Sequence, residues 1–172
     1  MKSKINLTLI LLVLSLLPFL QGCSQEDDIA VIFTGKTWKM SYIHPEGNYN
    51  APLDVWDGDE EAFQKSMDLL AAGDNFTLEF YGGSLGNGQF GGTFKGRGVT
   101  STVQGNWAAD GKDRRLQFSN VQWAGEEKDI YALTFRRALN AEVNAYSGDS
   151  YNLFIHYKEG QLLRVIAMLP MK

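Results

Sequence analysis

The sequence predicts a mostly β fold, a single antiparallel β-barrel of about seven or eight strands with two inserted helices. Two observations lead to this expectation. Several short runs alternate apolar and polar residues, which is the period of a strand with one buried face. The chain also contains 18 glycines, 12% aromatic residues and only 4 prolines, a composition typical of antiparallel strands joined by tight turns. We expect a closed barrel or a two-layer sandwich, because closure leaves no exposed sheet edges.

The first strand is predicted at residues 37–43, followed by a break at residues 44–48. Three large side chains in this strand alternate with polar or smaller ones: Trp38, Met40 and Tyr42. Pro45 and Gly47 in the break disfavour continued pairing. The chain is therefore expected to leave the sheet before its first helix.

The first inserted helix is predicted at residues 59–72. Its apolar residues recur at spacings of four and three, which places them on one helical face: Phe63, Met67 and Leu70. Asp57 and Glu60 have the spacing of a capping box at its start. Gly73 suits the left-handed position that ends a helix.

Four strands are expected between the two helices, with glycine-containing turns between them. Alternating residues place these strands at 76–81, 89–95, 99–107 and around 116–118. The second helix follows near residues 130–146, with Asp129 as its N-cap and Gly148 after its end. Its apolar residues recur at spacings of three and four: Ala132, Phe135, Leu139, Val143 and Tyr146. A hairpin over residues 151–169 closes the chain.

Residues 1–22 have the layout of a secretory signal. Met1–Lys4 carries positive charge, residues 5–19 contain no charged side chain, and a small residue precedes Cys23. The apolar run is shorter than the ~20 residues that span a bilayer, so a transmembrane helix is the less favoured alternative. Leu20-Gln21-Gly22-Cys23 resembles the lipobox of bacterial lipoproteins. The resemblance implies that the chain is cut before Cys23 and that a lipid on its sulfur anchors the protein in a membrane.

Residues 23–32 are predicted to form a lipidated, acidic tether ahead of the folded domain. Ser24–Asp28 has no apolar residue to bury, so it should remain in solvent. The run resembles the export signal of surface lipoproteins of Bacteroidota. This resemblance implies an outer-membrane protein that faces the cell surface, and facing the periplasm is the alternative. The folded domain is then expected over residues 33–172, without disulfides or a cysteine zinc site, because Cys23 is the only cysteine.

The charge of the chain excludes one class of partner. The formal net charge is −4, and the mature chain is more negative because Lys2 and Lys4 leave with the signal. A negative domain without a basic cluster does not match nucleic acid, whose phosphates need Lys and Arg partners. Membrane contact is therefore expected through the lipid on Cys23 alone.

Three stretches resemble lipocalin-like barrels. Gly35-Lys36-Thr37-Trp38 is similar to the opening of such barrels, where a glycine shortly before a tryptophan turns the chain into the first strand. Asn75–Phe80 leads into a glycine-rich hairpin, and Ser147–Leu153 leads into the last hairpin. Together they resemble the lipocalin-like lipoproteins of Bacteroidota, which implies a lipocalin-like β-barrel. Two residues, rather than the usual one, separate the glycine from the tryptophan here, and the helix at 59–72 is foreign to a plain lipocalin.

Residues that could perform chemistry are few. The two histidines are His44, beside a turn, and His156, which should face away from the buried side of the last hairpin. The sequence contains no nucleophile elbow and no glycine-rich phosphate loop, so we expect no enzymatic activity, no catalytic residue and no cofactor. A serine, a histidine and a carboxylate brought together in space is the alternative that stays open.

Acidic residues are densest around the start of the first helix: Asp54, Asp57, Asp59, Glu60 and Glu61. Such oxygen ligands bind Ca²⁺, but the calcium-loop spacing fails, since Gly58 as the sixth residue places Leu53 at the first ligand position. Helix capping and favourable charge at a helix N-terminus explain the cluster, so no metal site is expected.

Four tryptophans are the candidate ligand-binding residues: Trp38, Trp56, Trp107 and Trp123. Trp38 and Trp107 lie in alternating strands, where packing in the core is the competing explanation. Trp56 and Trp123 lie in polar stretches and, if exposed, could stack on a sugar or contact a protein partner.

These observations favour a binding protein of the outer membrane. The first hypothesis is a small amphipathic ligand or a glycan bound in the barrel or at its mouth. The alternative is a protein–protein interaction or inhibitor module of the cell envelope with a filled barrel, and a hydrolase ranks last. A carrier needs an empty interior, which six phenylalanines would fill: Phe76, Phe80, Phe90, Phe94, Phe118 and Phe135.

Overall fold

The structure, a computed structural model, describes residues 25–49 and 52–171. The helices are α1 (Gln25–Phe33), α2 (Glu60–Ala71) and α3 (Ile130–Asn140). The strands are β1 (Thr37–Pro45), β2 (Thr77–Gly86), β3 (Gln89–Arg97), β4 (Thr102–Asp110), β5 (Arg115–Ala124), β6 (Glu142–Gly148), β7 (Leu153–Glu159) and β8 (Leu162–Pro170). The predicted fold class, mostly β with inserted helices, is confirmed. Within the described ranges, no helix has the length and apolar character needed to cross a membrane.

All eight strands form one antiparallel sheet in the order β5-β4-β3-β2-β1-β8-β7-β6. The sheet is barrel-like, because β5 and β6 at its two ends approach each other. The backbone N–H of Tyr146 in β6 donates to the carbonyl of Arg114, just before β5, at 3.0 Å. The described residues form no ladder between these two strands, so the expected full closure is wrong. Helix α3 connects the two end strands and packs against both.

Helix α2 confirms the first predicted helix but not its expected cap. Asp59 is the N-cap, and its Oδ1 accepts a hydrogen bond from the Ala62 N–H at 3.0 Å. Asp57 instead has a φ of 51° in the preceding turn, so the predicted capping box does not form. At the other end, Ala72 takes an extended conformation that stops the helix one residue before Gly73.

The second predicted helix is correct only in its first half. Asp129 caps α3 as expected, accepting from the Tyr131 and Ala132 N–H groups at 2.9 and 3.0 Å. The helix ends at Asn140, and the remainder of the predicted helix is strand β6. A β-bulge after Val143 adds one residue to the strand. Because of the bulge, Val143 and Tyr146 both face the core although they lie three residues apart along the strand. This spacing of buried residues is also that of a helix, which is why the sequence favoured one.

The predicted tether over residues 23–32 is also corrected where the structure describes it. The chain is helical from Gln25, and Asp28 is exposed while Ile29 is fully buried. Phe33 stacks on Trp107 with ring centroids 4.7 Å apart and contacts Tyr146 at 5.0 Å. Helix α1 therefore belongs to the folded domain and covers one end of the interior. The signal and Cys23 lie outside the described residues.

Aromatic side chains fill the interior that residues 25–49 and 52–171 enclose. Of the six phenylalanines named above, Phe90 and Phe118 are partly buried and pack against the core. The other four are buried: Phe76, Phe80, Phe94 and Phe135. Phe94 and Phe118 have ring centroids 4.7 Å apart, and Phe80 lies 6.2 Å from each of them. These rings occupy the space in which a carrier would hold its ligand.

Candidate functional site

Three of the four tryptophans predicted to bind ligand are buried in the core. Trp38 is fully buried, and its Nε1 donates to the Phe33 carbonyl at 3.4 Å. Trp107 is also buried, and its Nε1 donates to the Tyr81 carbonyl at 3.1 Å. Their rings and N–H groups are therefore engaged within the fold, which is a packing role.

Trp56 lies in a polar stretch but is only 5% exposed. Its Nε1 donates to Ser66 Oγ at 2.9 Å, and its ring meets that of Phe63 edge-on at 5.0 Å. Trp123 is half-buried, and its Nε1 donates to Asn140 Oδ1 at 3.3 Å. The two tryptophans of polar stretches are thus mostly covered, and of the pair Trp123 keeps the larger exposed part.

A broad depression lies on the outer face of β2, β3, β4 and β5. We call it the groove; it has two adjoining lobes of about 430 and 340 Å³. Six mostly polar side chains line the first lobe: Tyr81, Lys95, Gln104, Asn106, Asn120 and Gln122. The second lobe shares Lys95, Gln104 and Gln122 with the first and extends to Trp123. The groove is thus continuous across four strands.

Strand register places these side chains side by side. Pairing aligns Glu79 with Lys95, Lys95 with Gln104, and Gln104 with Gln122 in one row across the sheet. Alternation sends these residues outward while their neighbours Phe94 and Val103 point into the core. Four amides and a lysine therefore share one face because each strand contributes outward positions in register.

A β-bulge in the β4–β5 pair shapes the groove. The register shifts between Gln104 and Asn106, and Asn120 opposite the shift has a φ of 53°. Bulges re-aim side chains and are frequent next to functional sites. Gly105 lies at the same point, where an added Cβ would stand 2.7 Å from a ring carbon of Phe94. The Phe94 ring therefore packs on the core side of the sheet beneath the groove, and only glycine fits beside it at position 105.

Charges in the groove are paired with each other. Lys95 Nζ lies 3.3 Å from Glu79 Oε2, and the Tyr81 hydroxyl donates to the same carboxylate. The Tyr81 hydrogen bond, followed by the Lys95 interactions, lowers the pKa of Glu79 below its ordinary value. Lys95 also lies over the Tyr81 ring, 5.2 Å from its centroid. The positive charge is thus balanced locally, and the remaining lining is neutral amide.

The acidic cluster surrounds a smaller, more apolar cavity beside Trp56. This cavity has about 300 Å³ and is lined by Pro52 and Phe63 together with Asp54, Asp59 and Glu60. Asp54 Oδ1 accepts from the Trp56 N–H at 3.1 Å. Within residues 25–49 and 52–171, no three His, Cys, Asp or Glu side chains are grouped as metal ligands.

Sequence reasoning missed the groove. The outward residues of β4, among them Gln104 and Asn106, are visible as the polar half of an alternating strand. Their meeting with Tyr81 and Gln122 depends on the pairing of four strands and on one bulge. The sequence feature that could have indicated the groove is the recurrence of Asn and Gln at alternating positions of neighbouring predicted strands.

Comparisons with known proteins identify a family. The family model DUF4847, a domain of unknown function, matches residues 24–170. A crystal structure of a DUF4847 family protein from Bacteroides vulgatus is similar in fold, with a TM-score of 0.57 and 23% sequence identity, covering 82% of this chain and 96% of that chain. None of the curated proteins searched matches the chain. Because the family model covers nearly the whole domain, the chain belongs to the DUF4847 family.

Proposed function

We propose that this protein is a lipid-anchored outer-membrane protein, displayed on the cell surface, that binds a glycan in the groove. The observation that carries the binding proposal is the group of outward amides on β4 and β5, in register with Lys95 of β3 and beside an exposed tyrosine. The lipobox-like Leu20–Cys23 supports the anchor. The acidic residues after Cys23 support display at the surface.

The chemistry of the groove matches a neutral sugar. A sugar hydroxyl both donates and accepts hydrogen bonds, and an Asn or Gln amide does the same through its NH₂ and carbonyl groups. Tyr81, which is 44% exposed, adds an aromatic face with a polar tip. Because the charge of Lys95 is balanced by Glu79, the groove does not favour a strongly charged ligand. Each lobe also lies within the range of ~300–1,000 Å³ typical of ligand sites.

The packed interior supports a site on the outside of the barrel. Phe33, Phe80 and Trp107 form a ring cluster with centroids 4.7–5.2 Å apart. A ligand inside would have to displace such buried rings, at a cost of several kcal/mol for each. We therefore place the glycan on the outer face instead of in the barrel or at its mouth.

Binding to an array of neutral and N-acetylated oligosaccharides tests this proposal. The protein lacking residues 1–24 is screened first, and the affinity of any bound glycan is measured by calorimetry. Replacing Gln104 and Asn106 by alanine together should weaken binding about tenfold or more, because two hydrogen-bonding side chains are lost. Gln117→Ala is the matched control, since this exposed amide of β5 lies outside both lobes. Equal affinities of the double variant and the control would contradict the proposal.

Lipid anchoring is tested separately with Cys23→Ser in cells. The unchanged protein should incorporate a fatty-acid label and remain with the outer membrane, and the variant should lose both properties. Cleavage by protease added to intact cells should then distinguish surface display from the periplasmic alternative.

The cavity beside Trp56 favours a second candidate function, docking of a protein partner. Its apolar base, formed by Pro52 and Phe63, lies next to the carboxylates of Asp54 and Glu60. Such a surface fits a partner that presents a basic residue next to an apolar one. A photocrosslinker at Glu61 should capture this partner, and Phe63→Ala should abolish the crosslink. The glycan affinity of the groove should be unaffected by either change.

A further inference from the structure

A serine, a histidine and a glutamate lie together on the outer face of the barrel, away from the groove. Ser147 Oγ lies 2.9 Å from His156 Nε2. The other ring nitrogen, Nδ1, lies 3.5 Å from Glu46 Oε1. Each nitrogen of one imidazole therefore faces a different partner, a hydroxyl on one side and a carboxylate on the other.

Separate elements of the fold bring these three side chains together. His156 lies on β7 and faces outward, opposite to the buried Ile155, as its alternation predicts. Ser147 lies on the neighbouring strand β6, two residues from the partner of His156 in the ladder. Glu46 follows β1, and its backbone N–H donates to the Leu163 carbonyl of β8 at 3.0 Å. Two paired strands and one hydrogen-bonded turn thus hold the trio on rigid structure.

The direction of the hydrogen bond between Ser147 and His156 follows from the position of the carboxylate. An ionised Glu46 only accepts, so the Nδ1 nitrogen that faces it carries the ring proton. The neutral imidazole then has its lone pair on Nε2, and the Ser147 hydroxyl donates to it. A serine that donates to a histidine oriented by a carboxylate is the arrangement that activates a serine nucleophile. The His156 side chain is 19% exposed, so reactants reach it from solvent.

We propose that Ser147, His156 and Glu46 form an acyl-transfer site that cleaves carboxylic esters. Ser147 Oγ attacks the carbonyl carbon of the ester, and His156 Nε2 takes the hydroxyl proton. The bond from the acyl carbon to the leaving alcohol breaks, His156 gives the proton to that oxygen, and the acyl group stays on Ser147. Water then attacks the acyl carbon while His156 takes its proton; the bond from the acyl carbon to Ser147 Oγ breaks, and His156 returns the proton to that oxygen. The products are one alcohol and one carboxylic acid.

Neighbouring side chains indicate the kind of acyl group. Phe154 pairs with Ser147 across the β6–β7 ladder and lies on the same outer face. The Tyr49 ring stands 6.2 Å from the Phe154 ring, so the ring that pairs with the serine is itself part of an aromatic pair. Because this surface is apolar, an ester with a short apolar acyl group fits best.

This site is independent of the groove. It lies on β6, β7 and the turn after β1, whereas β2 to β5 form the groove. The expectation of a domain without enzymatic activity came from the lack of a visible nucleophile and base in sequence. The β6–β7 pairing supplies such a pair across nine residues of sequence.

Two probes test the proposal on the full-length protein purified in detergent. A fluorophosphonate should modify Ser147, located by peptide mass spectrometry, and p-nitrophenyl butyrate should be hydrolysed. Ser147→Ala should abolish both reactions, and His156→Gln should slow them about 100-fold, since general bases contribute on that order. Ser84→Ala, at an exposed serine of the β2–β3 hairpin, is the matched control and should react as the unchanged protein does.

Glu46 acts through His156, so its test needs a separate readout. Glu46→Gln should lower kcat while leaving KM and the unfolding midpoint unchanged, and Glu46→Asp should recover part of kcat. Fluorophosphonate labelling of Ser147 at the same rate in His156→Gln, or no labelling of Ser147 in the unchanged protein, would overturn the proposal.

Discussion

The outer face of the barrel has two halves that differ although one continuous sheet forms both. We call the outer face of β2 to β5 the open half and the outer face of β1, β8 and β7 the covered half. In the open half, polar side chains such as Gln104 and Asn106 stand in solvent around the groove. In the covered half, the Tyr49 ring lies 5.9 Å from His44 and 6.2 Å from Phe154, above the sheet.

The difference follows from which residues point outward. Val165 pairs with the outward His156 and so faces outward on β8, yet it is fully buried. Two described residues after β1 are held to the sheet by backbone hydrogen bonds, from the Glu46 N–H to the Leu163 carbonyl at 3.0 Å and from the Leu53 N–H to the Ile43 carbonyl at 2.7 Å. An apolar side chain that faces outward is removed from water only if other residues pack over it. An outward amide can stay exposed, since water forms its hydrogen bonds. The half whose outward residues are polar is the half that carries the groove.

Phe94→Ala should have the largest effect, because it removes a core ring that packs beneath the open half. The Phe94 side chain is 2% exposed and packs against Phe80 and Phe118. Its loss should lower the free energy of unfolding by about 3–5 kcal/mol and weaken any ligand of the groove. Urea unfolding measures the first effect. A loss below 1 kcal/mol would show that the groove does not rest on the core as described.

Glu127→Gln should have the next largest effect, at the end of the open half. Glu127 is 8% exposed and accepts hydrogen bonds from the Val99 and Ser101 N–H groups at 2.9 and 3.1 Å. The substitution should cost about 1.5–3 kcal/mol of unfolding free energy at neutral pH, since these bonds go to a charged group. Urea unfolding at pH 7 measures this cost.

The cost of Glu127→Gln should also depend on pH. Burial alone would raise the pKa of Glu127, but hydrogen bonds from Ser101, Thr100 and Val99 outweigh it and hold the pKa below its ordinary value of 4.5. A carboxyl with a lowered folded-state pKa stabilises the fold above pH 4.5 and loses this contribution as the pH falls through the folded-state value. The gap between the two proteins should therefore shrink below pH 4.5, and a gap that grows there would contradict this assignment.

Tyr49→Ala should have a smaller effect, confined to the covered half. Tyr49 is 51% exposed and contributes mainly ring contacts to His44 and Phe154. We expect a loss of about 0.5–1.5 kcal/mol of unfolding free energy. Backbone amide signals should change in β7 and β8 and stay constant in β3 to β5. Equal changes in both halves would mean that the two faces are not separate.

Lys95→Gln should change stability least. It tests whether the groove binds a neutral or a charged ligand. Lys95 is exposed, and its pair with Glu79 lies at the surface, where ion pairs contribute little. The variant should have the unfolding midpoint of the unchanged protein. A neutral glycan should bind the variant with the same affinity in 150 mM and in 1 M salt. A strong loss of affinity at high salt would indicate a charged ligand instead.

The elements that sequence reasoning predicted best are those with a single repeating pattern. Helix α2 follows from Phe63, Met67 and Leu70, and the cap of α3 follows from Asp129. Strand β6 was missed because a bulge gave Val143 and Tyr146 a helical spacing. Helix α1 was missed because the acidic residues before Ile29 favoured a solvent-exposed tether. Three apolar residues of the helix nevertheless enter the core: Ile29, Ile32 and Phe33.

The candidate sites depend on contacts that local patterns do not contain. The groove needs the register of four strands, and the Ser147–His156 pair needs β6 to lie beside β7. The tryptophans were expected at the site because aromatic residues often bind ligands. Trp38, Trp56 and Trp107 are instead buried and pack in the core.

The most direct test of the open half as a ligand site is the mapping of glycan binding by NMR. Backbone and side-chain amide signals of the ¹⁵N-labelled protein are recorded while the tightest-binding oligosaccharide of the array is added. We predict that the signals that move belong to β3, β4 and β5, with the side-chain amides of Gln104, Asn106 and Gln122 among the largest. Movement confined to the covered half or to the cavity beside Trp56, or no movement with any sugar, would contradict the account.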